Sequence, residues 1–122
     1  MVAERPTRAA QLAAAELQEH VRLISGATLP LVNDTVEVKG LRIMVGESKA
    51  TQALGLKNAD FKPQEYLIRF APDLLVLMGR DKEDFEKLDY ANPDGRTIPD
   101  LFEDHGTCYA VYDMLEIGRA HV

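Results

Sequence analysis

Tyr66-Leu-Ile-Arg-Phe-Ala-Pro-Asp-Leu-Leu-Val-Leu-Met78 is the stretch whose reading decides the fold. Two apolar, β-rich runs, Tyr66–Phe70 and Leu74–Met78, stand on either side of Ala71-Pro72-Asp73. Proline presets φ and an aspartate side chain can bond its own backbone, so Pro-Asp predicts a turn and the stretch an antiparallel hairpin. The second arm carries no polar residue. It is apolar on both faces, as a central strand is.

Upstream, Leu41-Arg-Ile-Met-Val45 alternates apolar and polar as far as Met44, the pattern of a half-buried strand, and Gly46 closes it. Ser48–Leu54 reads as a short helix or turn ending at Gly55, and Asn58–Pro63 as a polar loop. Thr28–Val32 and Thr35–Val38 are short β-prone pieces broken by Asn33-Asp34. The strongest helical signal is Pro6 to Ser25. Ala10, Ala13, Ala14, Leu17, Val21 and Ile24 share one helix face. Pro6 suits a first turn, and Gly26 stands where a left-handed residue would stop the helix. The alanines give high propensity and allow close approach to a sheet.

Downstream, Gly79–Asp104 reads as a long acidic surface excursion with a helical turn at Asp84–Leu88. A helical pattern returns over Thr107–Glu116, with Thr107 as its expected N-cap and Ala110, Val111, Met114 and Leu115 on one face. Tyr109 and Tyr112 lie beside that face.

At 122 residues the chain is expected to form one domain, able to bury roughly 65% of its unfolded surface. A formal net charge of −6 with no basic run argues against nucleic acid as partner. No apolar stretch approaches the length of a membrane span, and Gln11 and Glu16 interrupt what would be a signal core. A single cysteine, Cys108, excludes an internal disulfide framework and a cysteine-rich zinc site.

Candidate chemistry is sparse. Glu83/Asp84/Glu86 and Asp100/Glu103/Asp104 are the carboxylate groups to weigh for acid–base work on a glycosidic bond, which needs two carboxyls opposed across a sugar. They cluster in a polar stretch, and the expectation is solvation. Asn92-Pro-Asp-Gly95 resembles part of a calcium loop but lacks the ligand ladder, so a turn explains it. His20 and His105 have no metal-ligand spacing; His20 is expected on the outer side of the first helix and His105 beside the last. Cys108, near a helix N-terminus, is a thiolate candidate, with a small buried residue as the plainer alternative. Tyr66, Phe70, Tyr109 and Tyr112 are the aromatics available to stack on a sugar. No catalytic, cofactor-binding or metal residue is assigned, and no cofactor is expected.

The terminal Glu116-Ile-Gly-Arg-Ala-His-Val122 reads as the in-frame translation of a sequencing adaptor. The expected division is a native domain over 1–116 and an adaptor-derived tail over 117–122, so His121 carries no functional weight.

Two segments carry a resemblance. Ala9–Pro30, with Ala13-Ala-Ala-Glu-Leu-Gln-Glu-His20 and Ile24-Ser-Gly-Ala-Thr-Leu-Pro30, resembles the opening helix and turn of the N-terminal domain of family-67 α-glucuronidases. Gly106-Thr-Cys-Tyr-Ala-Val-Tyr-Asp-Met-Leu-Glu116 is similar to the helix that leads from that domain into the catalytic barrel. Ile43–Gly46 and Tyr66–Gly79 resemble its middle strand and central hairpin. The same domain type precedes the barrel in family-20 and family-84 hexosaminidases and in related glycosidase-like proteins. The resemblance spans nearly all of residues 3–116; Lys82–His105 departs from it, replacing a much shorter link. It implies an α+β fold, a two-layer α/β sandwich whose mixed, largely antiparallel sheet carries two main helices on one face. Its first strand would begin just before residue 3. It further implies a non-catalytic N-terminal domain of a larger carbohydrate-active hydrolase. The expected partner is the barrel of the same polypeptide, with a polysaccharide or oligosaccharide as further partner. An independent carbohydrate-binding or protein-interaction module is the alternative. The carboxylates of the parent reaction belong to the barrel, so none is carried onto this chain.

Overall fold

A computed structural model describes residues 1–35, 40–88 and 104–120, the last three by backbone alone. The elements are helix α1 (Arg8–Ser25), strand β1 (Arg42–Val45), the short helix α2 (Lys49–Ala53), a 3₁₀ turn (Asn58–Asp60), strands β2 (Tyr66–Ala71) and β3 (Leu74–Gly79), and helix α3 (Gly106–Ala120). The strands form a mixed sheet in the order β1-β3-β2. β2 and β3 are the antiparallel hairpin read from the sequence, in register Ala71↔Leu74 to Tyr66↔Gly79. Pro72 and Asp73 make its turn, and Asp73 takes a positive φ of 58°, which aspartate tolerates. β1 pairs parallel to β3, Arg42 opposite Leu74 and Val45 opposite Leu77.

β3 is the central strand because it has nothing to offer water. Every residue of Leu74–Gly79 is buried. Leu75 and Leu77 face a core built with Val45, Ala9, Ala13, Ala14, Leu17, Cys108, Ala110 and Val111. That face carries both main helices. Leu74, Val76 and Met78 face the other way, with Met44 and Leu67, and are covered by Ala50, Leu56 and Phe61. The α+β sandwich thus has its two long helices on one side of the sheet, and α2 with the segment after it closes the reverse side.

α1 begins and ends where its sequence directs. The Thr7 hydroxyl accepts the Ala10 N–H at 3.0 Å, and Gly26, at φ 76°, returns its N–H to the Arg22 carbonyl at 2.8 Å. Ser48 caps α2 through a reciprocal box with Thr51. Residues 1–2 continue the sheet beyond β1. The Met1 nitrogen donates to the Ile43 carbonyl at 2.6 Å, the Val45 N–H donates to Met1 at 2.9 Å, and Val2 bridges in parallel to Asn33.

Four local expectations are corrected. Thr28–Val32 forms no strand; the pairing there is the single bridge at Asn33, and 36–38 lie outside the described residues. Asp84–Leu88 is not helical. It runs extended along α1, because Asp84 takes the Arg8 N–H at 2.6 Å and the Gln11 side-chain amide ties Glu86 and Leu88 at 2.8 and 2.7 Å. Asp81, read as part of a surface excursion, is buried. Thr107 is not the N-cap of α3: the helix starts one residue earlier, and its capping carboxylate comes from Asp81.

Candidate functional site

Two features stand out, at opposite ends of the sheet. The first is a buried polar cluster where β3 ends. The chain leaves β3 through Arg80, whose N–H donates to the Glu65 carbonyl while its own carbonyl takes the Gly106 N–H at 2.7 Å. This holds the start of α3 against the end of β3 so tightly that a Cβ on Gly79 would lie 2.7 Å from the Gly106 carbonyl carbon. The next residue, Asp81, is 3% exposed. One carboxylate oxygen accepts the Thr107 N–H at 2.9 Å. The other accepts the Thr107 hydroxyl at 2.6 Å and the Thr7 hydroxyl at 3.2 Å. The Asp81 main chain is held just as fully: its N–H donates to Asn58 Oδ1 at 2.8 Å, and its carbonyl accepts Asn58 Nδ2 at 3.3 Å.

Burial pushes the Asp81 carboxyl above its ordinary value, opposed by the hydrogen bonds from Thr107 and Thr7 and by the neighbouring His105. Both oxygens hold donors, so the carboxylate joins the starts of the two helices. A polar pocket of about 300 Å³ adjoins it, lined by Asn58, Arg80, Asp81, Lys82, Glu83 and Asp104 among others.

The other candidates fall as follows. Asp84 pairs with Arg8 at 3.0 Å, and Glu86 and Glu83 stay exposed along the same extended segment. Asp100, Glu103 and Asn92–Gly95 lie outside the described residues. Cys108 is 1% exposed, with Sγ 3.2 Å from the Ala9 carbonyl. Burial, with Asp81 nearby, pushes its thiol up to about 12, overriding the lowering expected of a helix N-terminus. His105 flanks α3 as read, bridging antiparallel to Asp81 and packing against Tyr109 at 4.6 Å between ring centroids. His20 bonds the Glu16 carbonyl on the outer side of α1. Tyr66 reaches Asp113 at 3.0 Å and lies near Tyr109. Among the described residues no group of three or more His, Cys, Asp or Glu is arranged to hold a metal, and no helix is long and apolar enough to cross a membrane.

The second feature is at the other end. Thr7 and Thr107 both meet Asp81, just past β3, so α1 and α3 start together, and α1 runs back over the sheet until Ala14 and Leu17 lie beside Leu41 and Ile43. α1 has 18 residues and spans about 27 Å, whereas the six residues of β3 span about 20 Å and the four of β1 about 13 Å. The helix therefore overruns its sheet. Its apolar stripe is buried at Ala10, Ala13, Ala14 and Leu17, half-buried at Val21, and 58% exposed at Ile24. Leu41, on the same sheet face as Ile43, is 67% exposed there. Phe70, opposite the core residue Leu75 and so also on the helix face, is 67% exposed. A groove of about 170 Å³ runs beside β1, lined by Leu17, Leu29, Leu31, Leu41 and Ile43 among others. Among the described residues, the pocket beside Asp81 is polar and the groove beside β1 is mainly apolar.

Comparison with known proteins places no name on either feature: no family model, no curated protein and no solved structure matches the chain.

Proposed function

We propose that this chain is the non-catalytic N-terminal domain of a larger glycoside hydrolase, and that its task is to pack against the catalytic barrel and support it. The observation that carries this reading is the placement of the two segments that resemble such domains. Ala9–Pro30 contains α1 with its Gly26 stop, and Gly106–Glu116 is the body of α3; the two lie side by side on one face of a mixed sheet. The buried Asp81 contributes to the same reading, since its hydrogen bonds serve architecture. The domain brings no catalytic residue of its own; the reacting carboxylates would sit in the barrel.

The parent gene tests this directly. Sequence beyond the codon of Glu116 should encode a barrel, and a gene without one sinks the reading. The purified 122-residue chain should leave aryl glycosides unhydrolysed. A glycan screen in which the isolated chain binds oligosaccharide would favour the independent binding module instead.

A further inference from the structure

We propose that the free edge of β2 pairs with itself: two copies of this chain join β2 to β2, antiparallel, about a two-fold axis at Ile68, and so make one continuous sheet. The inference is independent of the accessory-domain reading.

The sheet closes one edge and leaves the other open. Beside β1, Met1 takes the Val45 N–H and donates to the Ile43 carbonyl. β2 is the outer strand on the opposite side. Arg42 and Gly46 donate to the carbonyls of Asp73 and Leu77, so the odd-numbered residues of β3 bond β1. The even-numbered residues of β3 bond β2, where their partners are Leu67, Arg69 and Ala71. The backbone N–H and C=O groups of Tyr66, Ile68 and Phe70 therefore point out of the sheet. Among the described residues nothing bonds those groups.

Open edges are commonly blunted by proline, lysine or a bulge. β2 has none of these: it reads Tyr-Leu-Ile-Arg-Phe-Ala, and its register to β3 is unbroken over all six residues. The three residues that turn their backbone outward also share one side-chain face, Ile68 opposite Leu77 and Phe70 opposite Leu75. Tyr66 is 41% and Phe70 67% exposed. One strand makes the whole surface, so it is contiguous.

That outward set is symmetric about Ile68, as a two-fold interface requires. Ile68 meets its own copy, and Tyr66 of each chain lies opposite Phe70 of the other, an aromatic pair that covers the most exposed ring of the strand. On the reverse face, Arg69 has no ion-pair partner among the described residues. The same register sets it diagonally across from the exposed Glu65 of the other copy. An axis at Arg69 would oppose two arginines. An axis at Leu67 would bring Gln64, at φ 64°, opposite Phe70 and forfeit the aromatic pair.

The test uses the 122-residue chain carrying Ile24→Asp/Leu41→Asp, which removes association through those two uncovered side chains. Sedimentation from dilute to millimolar protein should show monomer and dimer only. In the dimer, the amides of Tyr66, Ile68 and Phe70 should exchange about tenfold more slowly than in the dilute monomer, while those of Leu67, Arg69 and Ala71 should change little. Arg69→Glu sets like charges across both ends of the interface and should weaken the dimer about tenfold; Glu65→Arg/Arg69→Glu should restore it. Both positions are exposed, so the dilute variants should unfold at the same temperature as their parent. A chain that stays monomeric overturns the inference. So does a dimer whose Tyr66, Ile68 and Phe70 amides exchange as in the monomer, or one that Arg69→Glu leaves unweakened.

Discussion

Asp81 takes three hydrogen bonds from two threonines that are 100 positions apart in the chain. Replacing it with alanine strands the Thr107 N–H and leaves both hydroxyls short of an acceptor, and should cost about 3 kcal/mol in chemical denaturation. Thr7→Ala removes the cap of α1 as well as one of those bonds and should cost about 1–2 kcal/mol. The pH dependence has a definite sign. Burial raises the folded-state carboxyl above its unfolded value, so the folded protein binds the proton more tightly. Stability attributable to Asp81 therefore rises as pH falls through the folded value and levels off below the unfolded one. The difference in unfolding free energy between wild type and Asp81→Asn should grow from pH 7 towards pH 4; a difference that shrinks over that range would contradict the assignment. Little of this was legible in sequence. Asp81 stands among Glu83, Asp84 and Glu86, and composition reads such a run as solvated. What sets it apart is its position two residues after a strand buried on both faces, which only the folded path past Gly79 and Gly106 makes visible.

Elements were more legible than residues. α1, the β2–β3 hairpin and the central place of β3 follow from periodicity, Pro-Asp turn chemistry and an all-apolar run. Sequence could not give the parallel pairing of β1 with β3, because the pairing joins segments 32 residues apart with α2 and β2 between them. Nor could it show that Asp84–Leu88 forgoes a helical turn to bond Gln11. Gly46 shows how tightly β1 meets α1: at φ 79° it ends the strand, and a Cβ there would lie 2.7 Å from the Ala10 Cβ. Gly46→Ala should therefore cost at least about 2 kcal/mol, from left-handed strain and collision together. Gly26→Ala, at a similar φ with open space around it, should cost only about 1 kcal/mol. Adding Ala10→Gly to Gly46→Ala should restore the collision part alone. Thermal or urea unfolding of these three variants and of Ala10→Gly alone separates the two contributions.

At the scale of the whole molecule, the described residues place capping groups and the buried carboxylate where α1 and α3 begin, and leave Ile24, Leu41 and Phe70 more than half exposed. The 122-residue chain should consequently self-associate as its concentration rises, despite a net charge of −6 that opposes aggregation. Sedimentation across a concentration series should show this, with Ile24→Asp/Leu41→Asp shifting the chain towards monomer. A wild-type chain that stays monomeric throughout would contradict it.

The shared carboxylate also has a kinetic consequence. Its bonds to Thr7 and Thr107 close loops of 74 and 26 residues, whereas the β2–β3 hairpin closes on a two-residue turn. Closing long loops before any contact rewards them is entropically costly, so the hairpin should be in place at the barrier and the Asp81 junction should form after it. Asp81→Ala would then act almost wholly on the unfolding limb of a chevron plot, hastening escape from the folded state while leaving the refolding rate near that of the wild type. Read this way, one carboxylate is a latch that closes last, and it governs how long the two helices stay docked rather than how quickly they arrive.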